Sequence, residues 1–117
     1  MTTRTATYGV MVHVDESDPD KHESVLRNVA NLLDAEDNIS VEIVAHGPGL
    51  AAVLKDSPHA DRLRELLDRG VQVAACANTM KSRDISDDQL VVGSRVVPAG
   101  IAELVTKQRD GWAYVRP

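Results

Sequence analysis

Short apolar runs alternate with amphipathic, helix-like stretches along this whole chain, and that alternation restricts the fold more than any other feature. Tyr8-Gly9-Val10-Met11-Val12-His13-Val14 is apolar at almost every position, as a strand buried on both faces must be. Ser17-Asp18-Pro19-Asp20 then predicts a helix start, with a capping residue, proline in the first turn and acids near the positive end of the dipole. Val25, Leu26, Val29, Leu32 and Leu33 follow at helical spacing. A second strand is expected from Val41 to His46, closed by the breaker Gly47-Pro48-Gly49. Leu50 to Leu54 predicts a short helical segment, and Ser57-Pro58 opens a clearer helix with Leu63, Leu66 and Leu67 inward, stopping at Gly70. The third strand, Val71 to Ala75, leads into Cys76. Ser86-Asp87-Asp88-Gln89 has the form of a capping box, and Arg95-Val96-Val97 is the expected fourth strand. A last helix starts at Pro98 with Ile101, Leu104 and Val105 on one face, and Trp112-Ala113-Tyr114-Val115 makes a final strand.

Five short strands separated by helices define an α/β domain with a mostly parallel sheet covered on both faces. The expectation is a single three-layer α/β/α sandwich over residues 1–117. Right-handed crossovers make the flavodoxin-like order 2-1-3-4-5 the simplest topology. Strands one and three would then be neighbours, and ligands bind at the carboxyl ends of strands beside such a switch point. Asp15 after strand one and Cys76 after strand three are expected there, with His46 ending the strand on the other side of strand one.

Composition narrows the function classes. A chain of 117 residues can bury a core without disulfides or a structural metal, and its single cysteine can form no internal disulfide. No zinc-type C-x-x-C spacing is present, and neither a metal nor an organic cofactor is expected, since thiolate exchange uses only sulfur nucleophilicity. The net charge is −5, and Arg62, Arg64 and Arg69 alternate with Asp61, Glu65 and Asp68, which reads as a solvated helix face. Without a basic stripe interleaved with aromatics, a nucleic-acid surface has no electrostatic support. No run approaches the roughly 18 apolar residues needed to span a bilayer. The polar stretch from Met1 to Tyr8 lacks the apolar segment of a signal peptide, so a cytoplasmic protein is expected.

Cys76 stands where chemistry is expected, at the exit of a buried strand and facing the polar stretch Ala77-Asn78-Thr79. If a helical turn begins at Asn78 or Thr79, backbone N–H groups would point at the sulfur and stabilise a thiolate. The alternative is an inert thiol, since free cysteine is among the most buried residue types. His46 before Gly47-Pro48-Gly49 is a candidate acid/base or donor to an anion, or simply the end of a strand before a tight turn; the spacing matches no phosphate-binding fingerprint. His13, inside an apolar strand, reads as a satisfied core histidine. Asp15, Glu16, Asp18 and Asp20 invite a magnesium or phosphoacceptor reading, but the chain ends in Arg116-Pro117 where a phosphoacceptor domain needs a lysine, and helix capping explains Asp18 and Asp20. Asn28 and Asn31 sit near the apolar face of the first helix, either at a subunit contact or in solvent. No G-x-S-x-G elbow exists for a serine hydrolase.

These residues resemble the small DsrE/DsrF-like family. The likeness runs through His13-Val14, Asn28-Val29-Ala30-Asn31-Leu32-Leu33, and Val41-Glu42-Ile43-Val44-Ala45-His46-Gly47-Pro48-Gly49. It continues through Leu67-Asp68-Arg69-Gly70-Val71 into Cys76-Ala77-Asn78-Thr79-Met80, then Val97-Pro98-Ala99-Gly100-Ile101 and Gln108-Arg109-Asp110-Gly111-Trp112-Ala113-Tyr114. The resemblance implies a three-layer domain that assembles into trimers or hexamers. It also implies that Cys76, at the position of the sulfur-carrying cysteine, holds sulfur as a persulfide.

The expected function is a cytoplasmic persulfide carrier. Cys76 takes sulfur from a donor and passes it to an acceptor protein, while His46, Gly47, Asn78, Thr79 and Asp15 line the site. The rival is a non-catalytic small-molecule binding or assembly module in which Cys76 merely lines the cleft. A redox sensor would need an intermolecular disulfide, because the chain holds no second cysteine. The stretch from Met80 to Val92 and the end Trp112-Ala113-Tyr114-Val115 are expected to be covered by neighbouring subunits.

Overall fold

A computed structural model describes residues 8–117. Of the polar N-terminal stretch on which the signal-peptide reading rests, only Tyr8 falls within the described residues. Strand β1 (Tyr8–Val14) leads to α1 (Pro19–Ala35), β2 (Ile39–Ala45), a 3-10 helix (Gly47–Val53), α2 (Ala60–Asp68), β3 (Gln72–Cys76) and α3 (Ala77–Ser82). A one-turn 3-10 helix (Asp87–Gln89), β4 (Arg95–Val97), α4 (Gly100–Arg109) and β5 (Ala113–Val115) complete the chain. Local chemistry accounts for the boundaries. Asp18 caps α1 by accepting the Asp20 N–H at 3.0 Å, with Pro19 as its first residue. The capping box around Ser86 and Gln89 is formed. Gly47-Pro48-Gly49 does not simply break the chain after β2: it winds directly into the 3-10 helix, with Gly47 at a positive φ of 57°.

All five strands are parallel, in the order β4-β3-β2-β1-β5. The expected order 2-1-3-4-5 is therefore corrected: β2, not β1, lies beside β3. Both orders satisfy the handedness rule, and both pair β1 with β2, which match over all seven residues from Tyr8 opposite Ile39 to Val14 opposite Ala45. They differ in where β3 lies. Here it pairs with β2 from Glu42 to Ala45, which brings Arg95 of the adjoining β4 to the buried Glu42 carboxyl and leaves the far side of β1 to β5. The chain steps one way from β1 to β4 and then crosses back, so the switch point lies between β1 and β5.

That path sets the layers. One face of the sheet packs Val10, Val12, Val14, Ile43 and Val73 against Val25, Leu26 and Val29 of α1, Leu63 and Leu66 of α2, and Met80 of α3. The other packs Met11, Val44, Ala74 and Val97 against Leu104 of α4, with Trp112 alongside. Leu63 is fully enclosed, and burying such a side chain contributes about 2–3 kcal/mol. Asn28 and Asn31 point to solvent. Among the described residues, no helix is long and apolar enough to cross a membrane.

Candidate functional site

Cys76 ends β3 and is also the cap residue of α3, so its sulfur sits where a strand turns into a helix. The Thr79 hydroxyl, the amide of Gly100 opening α4, and the amides of Thr79 and Asn78 in the first turn of α3 act on the sulfur as donors that favour its anion. Cys76 is 4% exposed. Burial raises its pKa, but the Thr79 hydroxyl and the Gly100, Thr79 and Asn78 amides outweigh that and hold it below the usual thiol value. The donors thus favour thiolate in a site largely closed to water.

Two further contacts shape this end of the sheet. The Gly47 N–H donates to Thr79 Oγ1 at 2.8 Å, which ties the turn after β2 to α3. Gly100 lets α4 start against the sheet edge: a Cβ there would lie 2.8 Å from His46 Cβ and 3.5 Å from Cys76 Cβ. His46 and Cys76 therefore flank the same backbone point. A glycine in the first turn of a helix lowers helix propensity by about 1 kcal/mol relative to alanine, and that anomaly was the one sequence sign of the close approach.

The corrected strand order gives His46 two neighbours at once. It follows β2, between His13 of β1 and Cys76 of β3. His13 Nε2 lies 2.8 Å from His46 Nδ1, and His13 Nδ1 lies 2.7 Å from the Tyr114 hydroxyl on β5. His13 is thus buried and satisfied, as its apolar strand predicts. Burial lowers its pKa; Asp15 opposes this, while His46 and Arg116 add to it. Asp15 occupies the same edge of the sheet but is bound to Arg116, which also pairs with Glu16, and its charge acts on His13. Asp15, Glu16 and Asp18 are thereby engaged in ion pairs or capping, and among the described residues no group of acids, histidines or cysteines is arranged to hold a metal.

One ionisable cluster has no counterpart in the sequence reading. Glu42, wholly buried in β2, accepts from Arg95 of β4 at 2.7 Å, and the same guanidinium reaches Glu103 of α4 at 3.2 Å. Burial and the adjacent Glu103 raise the Glu42 pKa to about 7, while Glu103 is held low. Burial works against that lowering of Glu103; the neighbouring Glu42 carboxyl and Arg95 produce it. Glu42 thus holds the proton that the two carboxyls share. A carboxylate in the middle of an apolar strand is the visible sign, but Arg95 stands 53 residues away and only the fold brings it near.

A parallel α/β sheet with a thiol held by helix-start amides at its carboxyl edge places this chain among small thiol-bearing α/β domains. A model of the DsrE/DsrF-like family matches residues 9–117, and the chain belongs to that family. Among solved structures it is similar to the MTH1491 protein of unknown function from Methanobacterium thermoautotrophicum. That likeness has 34% identity and a TM-score of 0.91, covering 94% of this chain and 99% of that one. The ychN protein from E. coli shares the fold, with 16% identity, a TM-score of 0.75 and coverage of 95% and 100%. No curated protein matches the chain significantly.

Proposed function

We propose that this protein is a persulfide carrier in which Cys76 accepts sulfane sulfur, holds it and passes it on. The observation that supports this most is the set of donors converging on one sulfur, the Thr79 hydroxyl and the amides of Asn78, Thr79 and Gly100. A thiolate is the nucleophile in sulfur exchange, and the same donors would hold the persulfide anion. Membership of a family with sulfur-relay members points the same way. His46 and Gly47 border the site, and the Asp15 charge acts on His13. The carrier would work in the cytoplasm between a donor and an acceptor protein, and the exchange needs no metal or organic cofactor.

The test is to incubate the protein with a low-molecular-weight persulfide and measure intact mass after persulfide-specific labelling. A gain of one sulfur, abolished in Cys76→Ser, supports the carrier. No gain, with Cys76 alkylated no faster than a free thiol, refutes it. The near-complete burial of Cys76 favours one rival, a binding or assembly module of the same fold. In that case Cys76→Ser would keep both its ligand affinity and its oligomer.

A homo-oligomer, trimer or hexamer, belongs to this proposal. Ile101 and Val105 lie exposed one turn apart on α4, with Val96 exposed on β4. Trp112 is packed within the domain, but Tyr114 and Val115 of β5 are exposed, so the outer side of α4 and the β5 end are both proposed contacts. Light scattering at micromolar concentration checks this; a monomer mass would exclude it.

A further inference from the structure

We infer that Tyr114, His13 and His46 form a proton relay serving sulfur transfer at Cys76; the inference rests on the carrier reading above. Three strands bring the groups together across the carboxyl edge of the sheet. The Tyr114 hydroxyl is 2.7 Å from His13 Nδ1, and His13 Nε2 is 2.8 Å from His46 Nδ1. The two rings lie 20° from parallel with centroids 4.9 Å apart, close to an edge-to-edge contact, so the proton moves near both ring planes. His46 Nε2 has no partner among the described residues, and the His46 Cβ shares the Gly100 contact with Cys76. His46, the residue at one end of this chain of hydrogen bonds, thus borders the thiol site through its Cβ. The residue at the other end is Tyr114, 41% exposed.

A neutral imidazole has one N–H, so the relay has two ordered states. In the first, Tyr114 donates to His13 Nδ1, His13 Nε2–H donates to His46 Nδ1, and His46 offers Nε2–H to the site. In the second, every bond is reversed and His46 Nε2 is a bare acceptor. His13 is suited to switching between them rather than storing charge. Its burial, His46 and Arg116 disfavour the cation, Asp15 alone among the charges acting on it favours it, and Asp15 is itself bound to Arg116.

The step that uses the relay is the departure of the donor's thiolate. The Cys76 thiolate forms a bond to the outer sulfur of R–S–SH, the R–S to S bond breaks, and its electron pair leaves as RS⁻. His46 Nε2–H protonates RS⁻ to RSH. In the same concerted step His13 gives its Nε2 proton to His46 Nδ1 and Tyr114 gives its proton to His13 Nδ1, so neither ring becomes an imidazolate. Water then restores Tyr114. The new persulfide loses its own S–H proton to solvent, so one thiolate enters and one persulfide anion results. The transferred sulfur keeps its oxidation state.

Leaving-group dependence tests this. Tyr114→Phe and His13→Gln should slow sulfur loading from glutathione persulfide, whose thiol leaves poorly unprotonated, by about tenfold at pH 7. Reaction of Cys76 with 5,5′-dithiobis(2-nitrobenzoate), whose aromatic thiolate leaves without a proton, should stay within about twofold of the parent rate. Equal slowing with both reagents, or with neither, overturns the relay. Ring nitrogen NMR shifts give a readout independent of reactivity: His13 and His46 should share one tautomer, and Tyr114→Phe should change it at both rings. Unlike tautomers in the parent, or no change in the variant, also overturn the relay. If Cys76 exchanges with an aliphatic disulfide in a Tyr114-dependent way yet never retains persulfide, the relay stands and the carrier reading falls.

Discussion

Thr79 Oγ1 accepts the Gly47 N–H at 2.8 Å, which leaves the Thr79 hydroxyl proton for the Cys76 sulfur. One side chain thus fixes the turn after β2 and stabilises the thiolate after β3. Its value lies in doing both from a residue that neither strand contains.

Thr79→Val keeps the shape and removes the hydroxyl. A hydrogen bond to a charged group stabilises that charge, so the Cys76 pKa should rise. Stability should fall by about 1 kcal/mol as the Gly47 N–H loses its partner. The pH profile of iodoacetamide alkylation reads the first effect and urea unfolding the second. Thr79→Ser should keep the parent profile; a valine variant that also keeps it would show that the hydroxyl does nothing for the sulfur.

The lowered Cys76 pKa also links ionisation to folding. The folded thiol gives up its proton at lower pH than the unfolded one, so between the two values the unfolded chain binds more protons. Stability from this source is present above the unfolded thiol value and is lost as pH falls through the folded one. The difference in unfolding free energy between the parent and Cys76→Ser should therefore grow from pH 7 toward pH 9.5. A difference that is flat or shrinks across that range contradicts the amide cradle.

Glu42 works in the opposite sense. Burial and Glu103 raise its pKa from 4.5 to about 7, so the folded state binds the extra proton between those values. Its contribution is full below the unfolded value and is lost as pH rises through about 7. The lowered pKa of Glu103 acts only below the unfolded carboxyl value and does not cancel this window. Unfolding free energy should drop from pH 5 to pH 8 by at most about 3 kcal/mol, and Glu42→Gln should flatten the profile. An identical slope in the variant would mean that Glu42 is not the group responsible.

Gly100→Ala sets two effects against each other. Alanine favours the helix by about 1 kcal/mol, but its Cβ would lie 2.8 Å from His46 Cβ. Overpacking of that kind costs about 1–3 kcal/mol, so the variant should melt lower. Moving α4 would also draw the Gly100 amide from the sulfur and slow alkylation near neutral pH. A higher melting temperature would mean that α4 does not press on His46.

Much of this architecture was legible from local pattern. The apolar run at β1, the Asp18-Pro19 start of α1, the Gly70 stop after α2 and the box at Ser86 are short-range effects, and each acts where its residues stand. Cys76 was visible for the same reason: a strand ending against a polar helix start puts a thiol near amides whatever the sheet order. The strand order was not legible, because right-handed crossovers allow both arrangements and both keep β1 beside β2; only contacts between distant residues, such as Arg95 with the buried Glu42, separate them. That single choice moved β2 between β1 and β3, and with it placed His46 beside both His13 and Cys76.

The chain's own pattern therefore determined an α/β domain and one thiol at a strand exit, since periodicity and capping are properties of neighbours in sequence. What surrounds that thiol was decided by tertiary structure alone. The Gly100 amide belongs to a helix that begins 24 positions later, and Tyr114 meets His13 across 101 positions. Hydrogen bonds between groups so far apart depend on how strands are ordered and how closely backbones approach, and no local pattern encodes either.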